Sequence, residues 1–173
     1  MKWRKTNMKN LVSRLRQDYP MLDFMDGKRF CWSPSKQQIC FVERFITHDK
    51  GQWTLLHELG HALAGHHDYT YDLELLEMEA AAWQKAQEIA ECYDVIIADD
   101  HIQDCLDTYR DWLHLRSTCP RCDTVSVQKD PRNYQCFNCD HLWSVTNSRL
   151  KRPYRLSEHK KTTPVREGQA LFI

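Results

Sequence analysis

Two groups of residues in this chain have the types and spacing that bind a metal ion. The first lies in TLLHELGHALAG, Thr54 to Gly65, which contains the pattern H-E-x-x-H as His57, Glu58 and His61. In a helix, positions four apart share one face, about 6 Å apart along the axis, so the two imidazoles can hold one ion together. Glu58 follows the first histidine, where its carboxylate can take a proton from a water that the ion acidifies and later return it to a leaving amine. Leu55, Leu56, Leu59, Ala62 and Leu63 give the segment a buried helical character. Gly60 permits the close approach of another backbone, and Gly65 suits a C-terminal stop. His66 and His67 follow that stop and read as loop residues rather than ligands.

A tetrahedral catalytic zinc takes three protein ligands and leaves the fourth position to water. The third is sought in Asp72 to Tyr93, DLELLEMEAAAWQKAQEIAECY, a segment rich in Ala, Leu, Glu and Gln that predicts a long helix. At about 100° per residue, Leu75, Ala82, Trp83, Ala86, Ala90 and Tyr93 fall within roughly 60° of one line, and Glu79 lies at the centre of that apolar stripe. A carboxylate buried there is costly unless it is paired or coordinates a metal. Glu79 is therefore the expected third ligand. Asp72 shares the phase but begins the helix, as a cap would, and Glu77 points to the solvent side; these two are the alternatives.

The second group is Cys119, Cys122, Cys136 and Cys139, two C-x-x-C units with 13 residues between them. Four thiolates at this spacing close a tetrahedral shell and leave no open position, so this site is structural. So short a segment cannot build a sufficient apolar core, and metal binding supplies its stability. Strands are predicted at 125–128, 134–136 and 142–145, which makes residues 117–146 a zinc ribbon with His141 as the substitute ligand.

The run HELGHALAGH, followed by an acidic helix containing E-x-E-A at Glu77 to Ala80, resembles the ImmA/IrrE-type metallopeptidases over residues 36–93. The resemblance implies a compact cytoplasmic zinc endopeptidase with His57, His61 and Glu79 as ligands and Glu58 as general base. It also implies a regulatory protein such as a repressor as substrate, and the strand at 39–42 as the sheet edge that receives it. After Ala80 the chain departs from the usual pattern: Ala81, Ala82 and Trp83 replace the common Asn-x-Phe run. A peptidase joined to a ribbon and a basic tail also resembles the SprT-like proteases that act on DNA-crosslinked proteins. That family uses a third histidine, and no matching His-Gly follows HELGH. A non-catalytic protein that binds nucleic acid or protein is the remaining alternative.

The elements that must position these residues follow from periodicity. Met8, Leu11, Val12 and Leu15 predict an amphipathic helix over 7–18, ended by Pro20. Segments 29–32 and 38–42 read as strands joined by a turn at SPSKQ, with a further turn at Asp26 and Gly27. Ile102, Cys105, Leu106, Tyr109, Trp112 and Leu113 recur at helical spacing beyond a cap at Asp99 or Asp100. His101, His114, Tyr69 and Tyr71 are candidates to orient a ligand or stabilise an oxyanion. Cys31, Cys40, Cys92 and Cys105 are expected as small core hydrophobes.

The 173 residues suffice for one ordinary core. The formal net charge of zero conceals an acidic middle, where residues 72–116 carry 3 basic and 12 acidic side chains. The ends are basic, and SRLKRPYRLSEHKK beyond the ribbon interleaves basic and aromatic residues, as a segment that neutralises DNA or RNA phosphates does, or a solvated tail. No signal sequence or long apolar run is present, so a cytoplasmic protein without membrane association is expected. The chain should thus be α+β: a mainly helical zincin-like metallopeptidase domain with a small β-sheet at 1–116, a β zinc ribbon at 117–146 and a basic tail at 147–173. It should carry two zinc ions, one catalytic and one structural.

Overall fold

The computed structural model describes residues 9–146. The basic tail at 147–173 lies outside the described residues, as do the first two positions of the helix expected at 7–18. Four helices are present: α1 (Lys9–Asp18), α2 (Asp49–Leu63), α3 (Asp72–Cys92) and α4 (Asp99–Ser117). Six strands form two three-stranded sheets: β1 (Asp23–Asp26), β2 (Cys31–Ser33) and β3 (Gln38–Phe41) make the first, and β4 (Val127–Asp130), β5 (Asn133–Gln135) and β6 (Leu142–Ser144) the second. The chain is α+β. No helix among the described residues is long and apolar enough to cross a membrane.

The described residues divide into two compact units: 9–68 together with Glu77–Leu106, and Tyr69–Leu76 together with 107–146. In the first, Pro34–Lys36 form a 3-10 turn that returns β2 antiparallel onto β3, with Trp32 opposite Ile39. The strand at Asp23–Asp26 had no clear periodic signal, yet it pairs parallel with β3. The sheet order is therefore β1-β3-β2. This corrects the expectation that the strand at 39–42 is the receiving edge: β3 is paired on both sides, and β2 is the edge nearest the H-E-x-x-H helix.

Alternation places Phe24, Ile39 and Phe41 in the core with Leu55, Leu56 and Leu59 of α2. Leu75, Ala82, Trp83, Ala86, Ala90 and Tyr93, the stripe expected from the phase of α3, are buried, and Ile89 joins them. Helix α1 closes the far end of α3: Arg14 donates to the Cys92 carbonyl at 2.8 Å and lies over the Tyr93 ring, which places a cation at a helix C-terminus. Helix α2 stops in a Schellman turn. Gly65 adopts φ 67°, its N–H bonds the Ala62 carbonyl, and the His66 N–H bonds the His61 carbonyl.

In the second unit, α4 runs into the ribbon and Arg116 is the centre of a buried polar network. Its guanidinium forks onto Asp72, with Nε to Oδ2 at 2.6 Å and Nη2 to Oδ1 at 3.1 Å, and packs over the Trp112 ring. Tyr134 donates to the same carboxylate at 2.7 Å, and the Trp143 indole donates to the Arg116 carbonyl. Asp72 is thus an ion-pair anchor and not the expected cap. The capping is done by Glu74, whose carboxylate accepts the N–H groups of Thr70 and Tyr71.

Two outcomes follow from this packing. A Cβ on Gly60 would lie 2.3 Å from the Ala82 carbonyl oxygen, which is backbone and cannot swing aside. Gly60→Ala should destabilise the protein by about 1–3 kcal/mol in denaturant unfolding, with reduced metal content as the helices part. Asp72→Ala leaves Arg116 buried and unpaired, and should cost about 3–5 kcal/mol, whereas replacing Asp72 and Arg116 together by apolar residues should recover much of that loss. A single-variant loss below about 1 kcal/mol would mean that the pair behaves as a solvated one.

Candidate functional site

Helical spacing brings the His57 and His61 rings onto one face of α2, and the close contact at Gly60 lets α3 present Glu79 to them. The His57 Nε2 and His61 Nε2 atoms are 3.1 Å apart, and Glu79 Oε2 lies 3.1 Å from the first and 3.6 Å from the second. His57 and Glu79 are buried, and the His61 side chain is nearly so. Ligands about 2.0–2.1 Å from a tetrahedral ion are separated by about 3.3 Å, so these three atoms already stand at the spacing of a coordination shell. Two neutral nitrogens and one carboxylate are a donor set suited to such an ion. Glu77, one of the alternatives, is exposed, and Asp72, the other, is held by Arg116.

Burial alone would raise the Glu79 carboxyl, but hydrogen bonding and electrostatic attraction from His57 and His61 outweigh it and hold the group far below the ordinary carboxylate range. Glu58 behaves oppositely. Burial raises its carboxyl, against the pull of His57, His61 and the Trp32 N–H. Its Oε2 accepts that N–H at 2.7 Å, so the edge of β2 orients the carboxylate beside the three converging atoms.

The surroundings of the two histidines differ. Trp83 stacks on the His57 ring at 4.2 Å between centroids, and His57 Nδ1 is buried without a partner among the described residues. His61 Nδ1 lies 2.9 Å from His66 Nδ1. His66 is therefore a support for His61 and more than the loop residue that the sequence suggests. The detectable signal was the Gly65 stop itself, because a Schellman turn folds the next residue back over the last helical turn. Burial, followed by electrostatic repulsion from His61, lowers the His66 imidazole and favours its neutral form. The Trp32 indole donates to the His66 carbonyl at 2.9 Å and steadies that turn.

Among the oxyanion candidates, His101 packs edge-on against Trp83 at 5.5 Å and reaches His57 only through that ring. Tyr69, Tyr71 and His114 belong to the second compact unit.

The four cysteines of the ribbon also converge. Cys119 and Cys139 Sγ atoms are 3.7 Å apart and those of Cys122 and Cys136 are 3.5 Å apart, close to the roughly 3.8 Å separation around a tetrahedral ion with 2.3 Å bonds to sulfur. Each C-x-x-C forms the same turn: the Arg121 N–H points to Cys119 Sγ and the Asn138 N–H to Cys136 Sγ, both at 3.4 Å. Asp123 and Asp140 then adopt φ of 56° and 57°. Hydrogen bonding with Thr124 draws the Cys122 thiol down to about 5, so a thiolate is available at neutral pH. The His141 ring stacks against Trp143, and its carbonyl accepts the Cys136 N–H; it is not part of the cysteine cluster.

The remaining cysteines only partly follow expectation. Cys105 is buried, but Cys31 and Cys40 are half-buried and Cys92 is exposed. Helix ends and an outward sheet face, rather than core positions, carry these three.

No family model, curated protein or solved structure matches the chain.

Two separate groups that could each hold a metal ion predict separable losses. Elemental analysis of the purified protein should find two metal ions per chain, one lost in Glu79→Ala and the other in a Cys136→Ser, Cys139→Ser variant. One ion in the parent, lost with the cysteines, would show that the histidine group binds none.

Proposed function

We propose that the chain is a zinc-dependent endopeptidase, zincin-like in its catalytic unit and similar to the ImmA/IrrE type. The observation that carries this reading is the convergence of His57 Nε2, His61 Nε2 and Glu79 Oε2, with the Glu58 carboxylate oriented beside them by the β2 edge. Bound zinc would supply an acidified water, with a pKa towards roughly 7, and polarise the scissile carbonyl. The chain's own residues do the rest.

Glu58 Oε2 is fixed by the Trp32 N–H. The other carboxylate oxygen is the one we assign to the attacking water. It accepts a proton there and delivers it to the departing amine, a shuttle favoured by a carboxyl whose proton affinity burial has raised. Glu79 stays ionised against the histidines and contributes negative charge to the ligand set. Trp83, stacked on His57, keeps that ligand from turning and excludes water from its outer face. The Trp32 N–H on the free side of β2 is taken by Glu58, so an extended peptide there would be met by the remaining main-chain groups of that edge, which tolerate many sequences. Protein or peptide substrates are what this reading requires, and a regulatory protein such as a repressor is the substrate that the resemblance suggests.

A glutamate, with no third histidine in the group, favours this reading over a SprT-like one. The cysteine cluster is closed and serves as the structural site.

Glu58→Gln separates chemistry from assembly. It should keep both zinc ions and the unfolding midpoint of the parent while cleavage of casein or of an unstructured peptide library falls about 10²–10⁴-fold. Undiminished cleavage by a zinc-loaded Glu58→Gln protein would sink the mechanism. Zinc retention with no cleavage by the parent on any peptide, together with salt-sensitive nucleic-acid binding, would favour the non-catalytic alternative.

A further inference from the structure

Cys31 and Cys40 stand directly opposite one another on antiparallel strands β2 and β3. They lie on the face of the sheet opposite to Trp32 and Ile39, and both are half-buried rather than sealed in a core. Residues facing each other across such a pair have Cα atoms about 4.5–5.5 Å apart. That interval falls inside the roughly 4.4–6.8 Å range that a disulfide spans. The Cys40 thiol donates to Gln38 Oε1 on the same face at 3.8 Å. The two cysteines open into a cleft lined also by Gly27, Lys28, Arg29 and Lys36, whose cationic side chains favour a thiolate when one forms.

We propose that Cys31 and Cys40 are an oxidation site that closes reversibly into a cross-strand disulfide. The oxidant is a peroxide. One cysteine, as its thiolate, attacks a peroxide oxygen and breaks the O–O bond, giving a sulfenic acid and releasing one water after protonation. The second thiol attacks that sulfur, the S–O bond breaks, and a second water leaves. Overall two thiols lose two hydrogens and one hydrogen peroxide becomes two waters. A thiol reductant reverses the bond through a mixed disulfide.

Burial raises the Cys40 thiol and disfavours its thiolate, so Cys40 is assigned as the partner that attacks the sulfenic sulfur rather than the peroxide. The bond would form one residue from Trp32, whose N–H orients Glu58, and would tie edge strand β2 covalently to the centre of the sheet. This inference does not depend on peptidase activity.

The test uses the full-length, metal-loaded protein, reduced and then exposed to hydrogen peroxide, with free thiols alkylated before tryptic digestion and mass spectrometry. Cleavage after Lys36 separates Phe30–Lys36 from Gln37–Arg44. The expected product is these two peptides joined, lighter by two hydrogens, and separated again by dithiothreitol. In Cys31→Ser the joined species should be absent. Should that variant not fold, the map of the parent alone decides. Recovery of both peptides fully alkylated, under peroxide that oxidises the exposed Cys92, would overturn the proposal. So would Cys40 joined to any cysteine other than Cys31.

Discussion

The approach of α3 to α2 at Gly60 is the constraint on which the candidate site depends. With no side chain at Gly60, the backbone at Ala82 can come closer than a Cβ would permit. Glu79 is three residues earlier on the same face of α3, so the contact carries its carboxylate onto the histidine nitrogens. The result is two imidazoles and a carboxylate crowded in a place with little water. Such a cluster is unfavourable unless a positive charge sits among its members, either as protons on the rings or as a metal ion. Protons would leave His57 Nε2 and His61 Nε2 facing each other at 3.1 Å with like charge, whereas a single cation satisfies all three donors at once.

The second unit meets a comparable demand by a different device. Its core has few large apolar side chains, chiefly Tyr134, Trp143 and Val145, grouped with Cys119 and Cys136. Arg116 and Asp72 occupy space that would otherwise need hydrophobic volume. A buried ion pair contributes little net stability, but it fixes position, since the Arg116 guanidinium and the Tyr134 hydroxyl converge on the one Asp72 carboxylate. Tyr134 and Trp143 stack at 5.5 Å, and each also gives its polar hydrogen to the same network, one to Asp72 and the other to the Arg116 carbonyl. The cysteine cluster and the ion pair therefore specify one packing of a core too small to specify it through apolar contacts.

Much of this was legible from spacing. The H-E-x-x-H face, the Gly60 contact, the Gly65 stop, the four-cysteine cluster and the apolar stripe of α3 each depend on a local rule that acts within a few residues. The failures have a common physical origin. Phase along a helix identifies a buried side but not what occupies it. Asp72 and Glu79 lie seven residues apart on the same side of α3; one meets a guanidinium 44 residues away in sequence, and the other two imidazoles 22 and 18 residues away. Arg116 gave no signal at all, because a lone arginine at the end of an amphipathic helix has the pattern of a solvated group until its carboxylate is located.

Strand order is a similar case, with a direct consequence for chemistry. Alternation identified β2 and β3 but not β1, whose four residues place only Phe24 in the core. Without β1, either strand of the hairpin could be the free edge. Once β1 pairs with β3, the outward N–H of Trp32 on β2 has no strand to bond, and an unpaired donor at a partly buried edge needs an acceptor. Glu58 supplies it at 2.7 Å. The orientation of the carboxylate that follows the first histidine is thus set by a four-residue strand on the opposite side of the sheet, through the position that it leaves vacant at the other edge.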